Sequence, residues 1–475
     1  MNFDIIDFYN PWWKSQNLTE INEHLLSEYN RSKFQRNYSG CFNTRGNGLY
    51  VLKGPRQVGK STLMRYTIYE LLKNNPGRCI IYIPADTIKD FKELRDILFH
   101  YLRISEHCKK RFVFIDEITY IKEWQRAIKE MRDNTKYKND FFLVTGSSAW
   151  SLKRSTERMP GRRGDESHPD KLLLPVNFRE FLGITRGIEP PGIQLKDILK
   201  LKKKHEVELQ LLSTDIKPHL DTYIRTGGFL SAVERIINDT SIKPIVNVFW
   251  DIIIGDIERT GLDRSMFIRL IRHFGKITGN RFSFNNISQE MEIDVKTVQR
   301  YIYALSNNFL GTLLPFLDKN KLHVKEKKMK KFYFIDPFLY EVLHQKTGIQ
   351  LEKPILVESV ILKELLHFAT GIEEGLSRLF DFGYWYSDKG KEVDFIASGI
   401  PIESKFKTSV KESEKNSILK HFKEGIILSK DDIDFSGEVK VIPIHLFLAL
   451  LSPGPMERDA KKVPGQNKAL HIGSF

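Results

Sequence analysis

The chain has 475 residues, too many for one hydrophobic core, so we expect about two to four domains. Lysine and arginine total 74 against 60 for aspartate and glutamate, and the net charge of +14 favours a polyanionic partner such as nucleic acid. Cys41, Cys79 and Cys108 are far apart without a CxxC pair, which suggests neither a disulfide framework nor a zinc site. No apolar run approaches the roughly eighteen residues of a membrane span, so we expect a soluble, cytoplasmic protein with no membrane partner.

The first motif along the chain is a phosphate-binding loop. An apolar run from Leu49 leads into Gly54-x4-Gly59-Lys60-Ser61, and an apolar pattern of helical period follows. Glycines let backbone N–H groups turn inward on a phosphate, and the helix N-terminus adds to the attraction. Lys60 is expected to contact the β- and γ-phosphates of ATP, and Ser61 to hold Mg²⁺. The residues expected to bind nucleotide here are Gly54, Pro55, Arg56, Gln57, Val58, Gly59, Lys60, Ser61 and Thr62; an ordinary glycine turn is the alternative.

Three more apolar runs predict parallel strands of the same sheet, at residues 79–86, 111–118 and 141–149. The second run ends in two acids, where Asp116 would bind Mg²⁺ through water and Glu117 would polarise the attacking water. The alternative for both acids is a capping pair on a helix that starts near Ile118. The third run ends in Thr145 and Ser147, which either sense the γ-phosphate or simply form a turn.

Taken in order, these segments resemble the archaeal-type AAA ATPases that carry a C-terminal domain of unknown function. The likeness rests on GPRQVGKST, FIDEI, LVTGSSAWSL, the GRR of residues 161–163, PVNFREFL and YIRTGGFLSAVE, and it extends to about residue 450. The resemblance implies an arginine after the fourth strand that reads the nucleotide, which makes Arg162 or Arg163 the candidate sensor or finger. A solvated basic loop is the alternative for both arginines.

The start of the chain, NPWW at residues 10–13, is similar to the start of some members of these ATPases. Trp12 and Trp13 either pack near the adenine or anchor the core, and we favour the second interpretation. Residues 187–262 have helical periodicity and are expected to form the lid that closes over a nucleotide. Its Lys202-Lys203-Lys204 run is interpreted as a solvated face.

A helix-turn-helix rhythm follows from Asn285, with ISQEM as the first helix, residues 292–294 as the turn and residues 296–307 as the second helix. Val298, Ile302 and Leu305 are expected to face inward. The outward side carries residue types that contact phosphates and bases, namely Lys296, Thr297, Gln299, Arg300 and Tyr303. The run to Lys330 and beyond would add a wing hairpin. DNA contact and a purely packing role for this unit are both open.

The segment EVDFIASGIPIESK, from Glu392, predicts a hairpin whose two-residue loop is Ser398-Gly399. Counting outward from the loop places Asp394 opposite Glu403, with Glu392 and Lys405 on the same face and an apolar opposite face. Two opposed carboxylates repel unless a cation lies between them, and oxygen ligands of this kind suit Mg²⁺ or Mn²⁺.

This hairpin, preceded by the helical pattern LVESVILKELLHF with Glu358, resembles the PD-D/E-x-K nuclease core. The resemblance implies a catalytic set of Glu358, Asp394, Glu403 and Lys405, in which Asp394 and Glu403 bind the metal and Lys405 orients water or steadies the scissile phosphate. The alternative is a degenerate fold in which the two acids form salt bridges to Lys391, Lys405 or Lys407.

The predicted architecture is α/β: a P-loop AAA-like parallel sheet with a helical lid, followed by a winged-helix region and a restriction-endonuclease-like α/β domain. Its expected parts are an N-terminal helical segment (1–48), the ATPase core (49–186), the lid (187–262), the winged-helix-like unit (263–318), the nuclease-like domain (319–452) and a disordered tail (453–475). We expect ATP hydrolysis with Mg²⁺ and a basic C-terminal half that binds, and in one interpretation cleaves, DNA or RNA. The alternative is an ATP-dependent switch or scaffold with an inactive nuclease-like domain and a protein partner; a homo-oligomer fits either.

Overall fold

The computed structural model describes residues 3–147, 159, 161–166, 168–320, 323–325, 327–370 and 382–452. The tail expected at residues 453–475 lies outside this part of the chain. The helices are α1 (Phe3–Tyr9), α2 (Leu18–Arg31), α3 (Lys60–Leu72), α4 (Phe91–Ile104), α5 (Trp124–Asn134), α6 (Phe178–Arg186), α7 (Leu195–Ile198), α8 (Glu206–Ile216), α9 (Pro218–Thr226), α10 (Leu230–Ile237), α11 (Lys243–Arg259), α12 (Arg264–Ile277), α13 (Phe284–Met291), α14 (Val295–Asn307), α15 (Pro337–Thr347), α16 (Lys353–Thr370), α17 (Glu412–Leu419) and α18 (Ile444–Leu450). None of the helices in the described ranges is long and apolar enough to cross a bilayer.

The first sheet is parallel, as predicted, and has five strands, one more than the four apolar runs indicated. Its strands are β1 (Leu49–Lys53), β2 (Ile80–Pro84), β3 (Phe112–Asp116), β4 (Phe141–Gly146) and β5 (Asp170–Leu172), in the order β2-β3-β4-β1-β5. Every position of β1 to β4 is buried, because strands of a parallel sheet are covered by helices on both faces. Since β4 lies between β1 and β3, the carboxyl ends of these three strands meet at one edge of the sheet.

The segment at residues 10–13 closes the edge of this sheet at β2. The indole N–H groups of Trp12 and Trp13 both donate to the Ile80 carbonyl, at 3.0 and 2.8 Å, and the Asn10 amide donates to the Tyr82 carbonyl at 2.9 Å. The Asn10 side chain also accepts from the Tyr82 N–H at 2.7 Å. The two tryptophans are therefore core anchors, and the alternative place beside the adenine is wrong, because Ile80 begins β2 at the amino edge of the sheet.

The region 187–262 is helical, as predicted, but most of it does not cover the first sheet. Helices α8 and α9 pack instead in the hydrophobic core that holds the second sheet and α18. The Ser213 hydroxyl is hydrogen-bonded to the His445 ring at 2.6 Å, and the Ile193 N–H donates to the Leu450 carbonyl at 2.7 Å. Within this region, the last helix, α11, contacts the loop after β1 through the pair between Asp256 and Arg56. The lid role stays a prediction.

Helices α13 and α14 are joined by a tight turn at residues 292–294, where Glu292 has a positive φ of 55°. Val298, Ile302 and Leu305 are buried, as predicted. Strands β6 (Gly311–Leu314) and β9 (Lys331–Phe334) pair antiparallel, and between them lie β7 (Leu317–Asp318) and β8 (His323–Val324). The predicted boundary at residue 318 is wrong, because it would separate β6 from its partner β9.

The second sheet follows α16 and has five strands in sequential order, β10 to β14. They are β10 (Phe382–Tyr386), β11 (Glu392–Ala397), β12 (Ile400–Ser404), β13 (Gly425–Ser429) and β14 (Val439–Pro443). The first three strands are antiparallel neighbours, and β12, β13 and β14 are parallel. Helix α17 makes the crossover between β12 and β13 that a parallel pair requires.

Candidate functional site at the phosphate loop

The loop between β1 and α3 has the backbone that its glycines predict. Gly59 has a φ of 98°, and a β-carbon there would lie 2.4 Å from the Tyr38 hydroxyl oxygen. Gly54 has a φ of 149°, and a β-carbon there would lie 2.1 Å from the Leu173 carbonyl oxygen. Both positions therefore require glycine for conformation and for space, which excludes an arbitrary glycine turn.

Lys60 is the buried cation of this loop, with 4% of its surface exposed. Its ammonium donates to the carbonyls of Gly54 at 3.0 Å and Pro55 at 2.9 Å, and it lies 3.7 Å from a Glu117 carboxylate oxygen. Burial lowers the pKa of Lys60, and the charge of Glu117 acts in the opposite direction. A buried ammonium that is held mainly by neutral carbonyls is stabilised by a further anion, and the phosphates of a nucleotide would provide one.

Asp116, at the carboxyl end of β3, is held by hydroxyl groups from both neighbouring strands. Thr145 Oγ1 on β4 donates to Asp116 Oδ1 at 2.5 Å, and the Tyr82 hydroxyl on β2 donates to Asp116 Oδ2 at 3.0 Å. Thr145 also accepts the Glu117 N–H at 2.8 Å, so one hydroxyl fixes both acids. Thr145 therefore positions the acids from β4, the strand that lies between the loop and Asp116.

Glu117 leaves the strand with a positive φ of 51° and makes no capping hydrogen bond from its side chain. Its carboxylate accepts from the Ser147 hydroxyl at 3.3 Å and faces the Lys60 ammonium. The helix-capping interpretation of the two acids is therefore wrong, since a short 3₁₀ turn follows and the next α-helix begins only at Trp124. The predicted residues Lys60, Asp116, Glu117, Thr145 and Ser147 converge on one site.

Arg162 and Arg163 do not take part in this site within the chain. Arg163 pairs with Asp170 at 2.6 Å and donates to the carbonyl of Leu49, the first residue of β1. Arg162 pairs with Asp133 at 2.7 Å. The loop begins after the last residue of β1, roughly 13 Å further along the strand, so the sensor role expected for either arginine on its own nucleotide is wrong.

Instead, a different set of charged groups reaches the loop, from the end of α11. Asp256 is 3% exposed, and its carboxylate lies 3.2 Å from the Arg56 guanidinium of the loop and in contact with Arg259. Tyr120 accepts a hydrogen bond from Arg56 at 3.3 Å and one from Arg259 at 3.5 Å. Burial raises the pKa of Asp256, opposed by Arg56 and Arg259. Sequence analysis missed Asp256 and Arg259, because about 200 residues separate them from the loop and no short motif links them.

A cavity of about 700 Å³ adjoins the loop. Two of its lining residues, Tyr38 and Leu173, are the same residues that lie against Gly59 and Gly54. The Arg36 guanidinium, on its wall, forms a bidentate pair with Glu180 and donates to the Leu174 carbonyl at 2.8 Å. Burial raises the pKa of Tyr38 to about 12, which keeps its hydroxyl protonated as a donor.

The hairpin of the second sheet has the predicted register. Ala397 pairs with Ile400 and Phe395 with Ile402, and Ser398-Gly399 forms the loop. The apolar face is buried, as predicted, with Val393, Phe395, Ala397, Ile400 and Ile402 at most 8% exposed. Asp394 and Glu403 therefore come from opposed positions at the open end of the ladder.

Glu403, however, is already neutralised by lysines, and a further lysine lies near Asp394. Both Glu403 oxygens accept from Lys391 at 2.8 Å, and Lys405 lies 2.7 Å from Glu403 Oε1. Asp394 accepts from the Ser404 N–H at 2.8 Å and lies 3.9 Å from Lys331. Lys331, on β9, also pairs with Glu392 at 2.5 Å. The salt-bridge alternative therefore holds for Glu403, which pairs with Lys391 and Lys405. It does not hold for Asp394, which has Lys331 nearby, and Lys407 pairs with Glu414 at 3.1 Å.

Glu358 does face this cluster from α16, and its carboxylate accepts from the Tyr333 hydroxyl at 2.7 Å. Burial raises the pKa of Glu358 to about 7, and the charge of Asp394 adds to the shift while Lys331 opposes it. Burial likewise raises the pKa of Asp394. The acids of the predicted nuclease site thus share one neighbourhood.

These residues as placed do not fit a divalent ion. In the described part of the chain, the acids do not bring three ligand atoms to one point, and Glu403 has two ammonium groups where a metal would lie. The metal role expected for Asp394 and Glu403, and the water-orienting role expected for Lys405, are therefore not supported by the geometry. A carboxylate between two lysines is a closed ion-pair network.

Three of the five residues expected on the outward face of α14 are exposed, whereas Thr297 and Gln299 are half-buried. Lys296 and Arg300 are exposed, and 46% of the surface of Tyr303 is accessible. Asp294 caps the helix by accepting the Thr297 N–H at 3.2 Å, and Tyr301 donates to the Asp263 carbonyl at 2.9 Å. This second bond ties α14 to the short connection that leads back to α11.

Two segments of the chain match known protein families, and the first of them contains the phosphate loop. Residues 46–182 match the AAA domain family. The phosphate loop, Asp116, Glu117 and Thr145 lie within this range, and Asp256 of α11 contacts it through Arg56. The parallel sheet and the loop of these residues match a P-loop AAA-like α/β fold. Residues 217–350, which include α11 and α14, match a domain of unknown function (DUF8612). No curated protein matches the chain.

Several solved structures are similar to this chain. The Walker-type ATPase PABY2304 of Pyrococcus abyssi is 15% identical, with 68% of this chain and 95% of that chain covered and a TM-score of 0.39. Cdc6p from Pyrobaculum aerophilum is 11% identical, with 70% and 94% covered and a TM-score of 0.25. The ADP form of the Aeropyrum pernix ORC2 protein is 12% identical, with 70% and 94% covered and a TM-score of 0.29. These likenesses are too remote to indicate an activity.

Proposed function

We propose that the chain binds and hydrolyses ATP, and that its C-terminal half uses the nucleotide state to control contact with nucleic acid. The observation that carries the ATPase part is the convergence of Lys60, Asp116, Glu117 and Thr145 where β1, β3 and β4 end. The Lys60 ammonium is held by two carbonyls and faces Glu117, and a phosphate would supply the further anion that a buried cation favours.

The oxygen donors of this site suit magnesium. The Ser61 hydroxyl, at the start of α3, and the Asp116 carboxylate would hold the ion, which would shield the phosphate charge during transfer. Thr145 holds Asp116 in place through its 2.5 Å hydrogen bond. Glu117, facing Lys60, is placed to accept a hydrogen bond from the attacking water.

The cavity beside the loop is the proposed place for the base and ribose. It touches both loop glycines through Tyr38 and Leu173, so a nucleotide whose phosphates lie on the loop would extend into it. Arg56 and Arg259 take the place of Arg162 and Arg163 as the proposed phosphate-reading cations, because both already hold a carboxylate, that of Asp256, beside the loop.

The test is Lys60→Ala, which we expect to abolish phosphate release from ATP while circular dichroism stays unchanged. Lys73→Ala is the matched control, because Lys73 follows the same helix and pairs at the surface with Glu70. Unchanged turnover in Lys60→Ala would refute the assignment of the loop.

For the C-terminal half, we propose nucleic-acid binding, DNA above all, by a winged-helix unit made of α12 to α14 and the β6–β9 hairpin. Support comes from the exposed Lys296, Arg300 and Tyr303 and from the net charge of +14. The ion pairs that neutralise Glu403 of β12 favour a nuclease-like domain that does not cut. A protein partner for the same face is the outcome that a negative binding experiment would favour.

A further inference from the structure

Cys79, His107 and Cys108 form a cluster at the amino edge of the first sheet, opposite to the phosphate loop. Cys79 ends the 3₁₀ turn Gly77–Cys79 before β2, and the other two lie in the turn between α4 and β3. β2 and β3 are paired from their first residues, Ile80 with Phe112, so both turns meet. Cys79 and Cys108 are joined by a disulfide, which corrects the expectation that no disulfide forms.

His107 adds a third side chain that can bind a metal ion beside the two cysteines. The Cys108 Sγ lies 3.6 Å from the His107 Nε2, and the two sulfur atoms and this nitrogen all lie within 4.8 Å of one another. Two thiolates and an imidazole are the donor set that thiophilic cations such as Zn²⁺ prefer. A fourth position would be left for water or another donor.

Both turns that present these ligands are held in place. A β-carbon at Gly77 would lie 2.1 Å from the Trp12 carbonyl oxygen, so this turn packs directly on the tryptophan pair. On the other side, Arg111 donates to the hydroxyl and the carbonyl of Ser105, at 2.8 and 2.9 Å, and the Cys108 N–H donates to that carbonyl at 3.0 Å. On these fixed turns the backbone need not move to form a site, because on reduction the two sulfur atoms can separate by side-chain rotation to the spacing that a shared cation needs.

Exposure differs between the ligands in a way that suits ion entry. Cys79 and Cys108 are 5% and 7% exposed, whereas His107 is exposed. An ion would reach the sulfur atoms from the His107 side, and the buried sulfurs would shield it from water on the other side.

We propose that the reduced chain binds one thiophilic divalent cation of the Zn²⁺ class through Cys79, His107 and Cys108, and that the disulfide is the competing oxidised state. With a small-molecule disulfide as oxidant, the two thiols each lose a proton and an electron as their S–S bond forms, and the oxidant's S–S bond is reduced to two thiols. Cation binding and oxidation exclude each other because both use the same two sulfur atoms. The site does not depend on the ATPase proposal.

The experiment uses the full chain and Co²⁺ as a spectroscopic probe, with Zn²⁺ as competitor. The reduced protein is expected to take up one Co²⁺ with a thiolate charge-transfer band that Zn²⁺ removes, and protein oxidised with glutathione disulfide is expected to take up none. Cys79→Ser and Cys108→Ser should each weaken Zn²⁺ binding by at least about tenfold, and His107→Ala should also weaken it. Cys41→Ser, which changes the third cysteine, should bind as the wild type does.

Equal uptake by the reduced and oxidised wild-type protein would overturn the proposal, as would reduced protein that takes up no Co²⁺. This comparison needs no variant, so it decides the question even if a serine variant fails to fold. Zn²⁺ binding by Lys60→Ala should match that of the wild type, since the phosphate loop lies at the opposite edge of the sheet. If Lys60→Ala weakens Zn²⁺ binding as much as Cys79→Ser does, the result would also count against the site.

Discussion

The Arg56 guanidinium lies 3.2 Å from the buried carboxylate of Asp256, and this ion pair joins the phosphate loop to α11. Helix α11 continues through a short connection into α12, and Tyr301 of α14 donates to the Asp263 carbonyl in that connection. A phosphate that takes over Arg56 would leave Asp256 paired with Arg259 alone. The pair therefore offers a direct route from nucleotide binding to the helix-turn-helix unit.

This relationship predicts the effect of Asp256→Asn. The change removes a negative charge that competes with phosphate for Arg56, so we expect ATP to bind about tenfold more tightly, a difference of about 1.4 kcal/mol. Titration with a fluorescent ATP analogue measures it. Asp251→Asn, at an exposed position of the same helix, is the control and should bind like the wild type. Weaker binding by Asp256→Asn would instead mean that the ion pair keeps the loop in its binding shape.

Charge reversal on the outward face of α14 should weaken nucleic-acid binding. We expect Lys296→Glu with Arg300→Glu to lower affinity for duplex DNA and to reduce the slope of log affinity against log salt by about 2, because two phosphate contacts are lost. Fluorescence anisotropy across a salt series measures both quantities. Lys203→Glu with Lys204→Glu makes the same charge change on the exposed run before α8 and should leave the slope unchanged. Equal losses in both double variants would point to nonspecific attraction by net charge.

The ion pairs around Glu403 predict that the chain does not cut DNA. Plasmid incubated with the protein and Mg²⁺ or Mn²⁺ should stay supercoiled, and Glu403→Ala should behave identically, because Lys391 and Lys405 occupy the carboxylate. Agarose electrophoresis shows the result. Nicking by the wild type that disappears in Glu403→Ala would restore the nuclease interpretation.

The raised pKa of Glu358 predicts a pH-dependent stability. Folding raises this pKa from 4.5 to about 7, so the folded protein binds the proton more tightly than the unfolded chain and loses stability as the pH rises from about 4.5 through 7. Glu358→Gln removes the titration and keeps an acceptor for Tyr333. The groups that face Glu358 are Asp394, Lys331, Tyr333 and Glu392.

We therefore expect Glu358→Gln to raise the melting temperature by about 2 °C or more at pH 8, and by less at pH 5. Differential scanning calorimetry at the two pH values measures the difference. Glu352→Gln, at an exposed position before α16, should show no such trend. A gain that is larger at pH 5 would contradict the direction of the shift.

The parts of this molecule that local sequence determines were predictable. The loop from Gly54 to Ser61 carries its own conformational requirements, and the two-residue loop at Ser398-Gly399 sets the pairing of Ala397 with Ile400 without reference to the rest of the chain. Strands β1, β3 and β4 were predictable for the same reason, since continuous apolar runs indicate buried parallel strands.

What sequence could not supply is the identity of partners from distant segments. Lys331 comes from β9 and Asp256 from α11, and each meets its ionic partner only through the fold. The same limit explains the error over Arg162 and Arg163, since a position after the fourth strand in sequence does not fix which edge of the sheet an arginine reaches. The missed disulfide between Cys79 and Cys108 likewise depends on β2 and β3 being neighbours.

Residues 10–13 cover the edge of β2 that pairs with no other strand of the sheet, so a truncation that removes them uncovers this edge. A chain that starts at residue 46, where the family match begins, would lose the indole and amide groups that pair with the Ile80 and Tyr82 carbonyls. The edge of its sheet at β2 would then be uncovered and apolar, and it could pair with the same edge of another molecule. Solubility of an isolated fragment of residues 46–182 thus depends on four residues that lie outside the matched range.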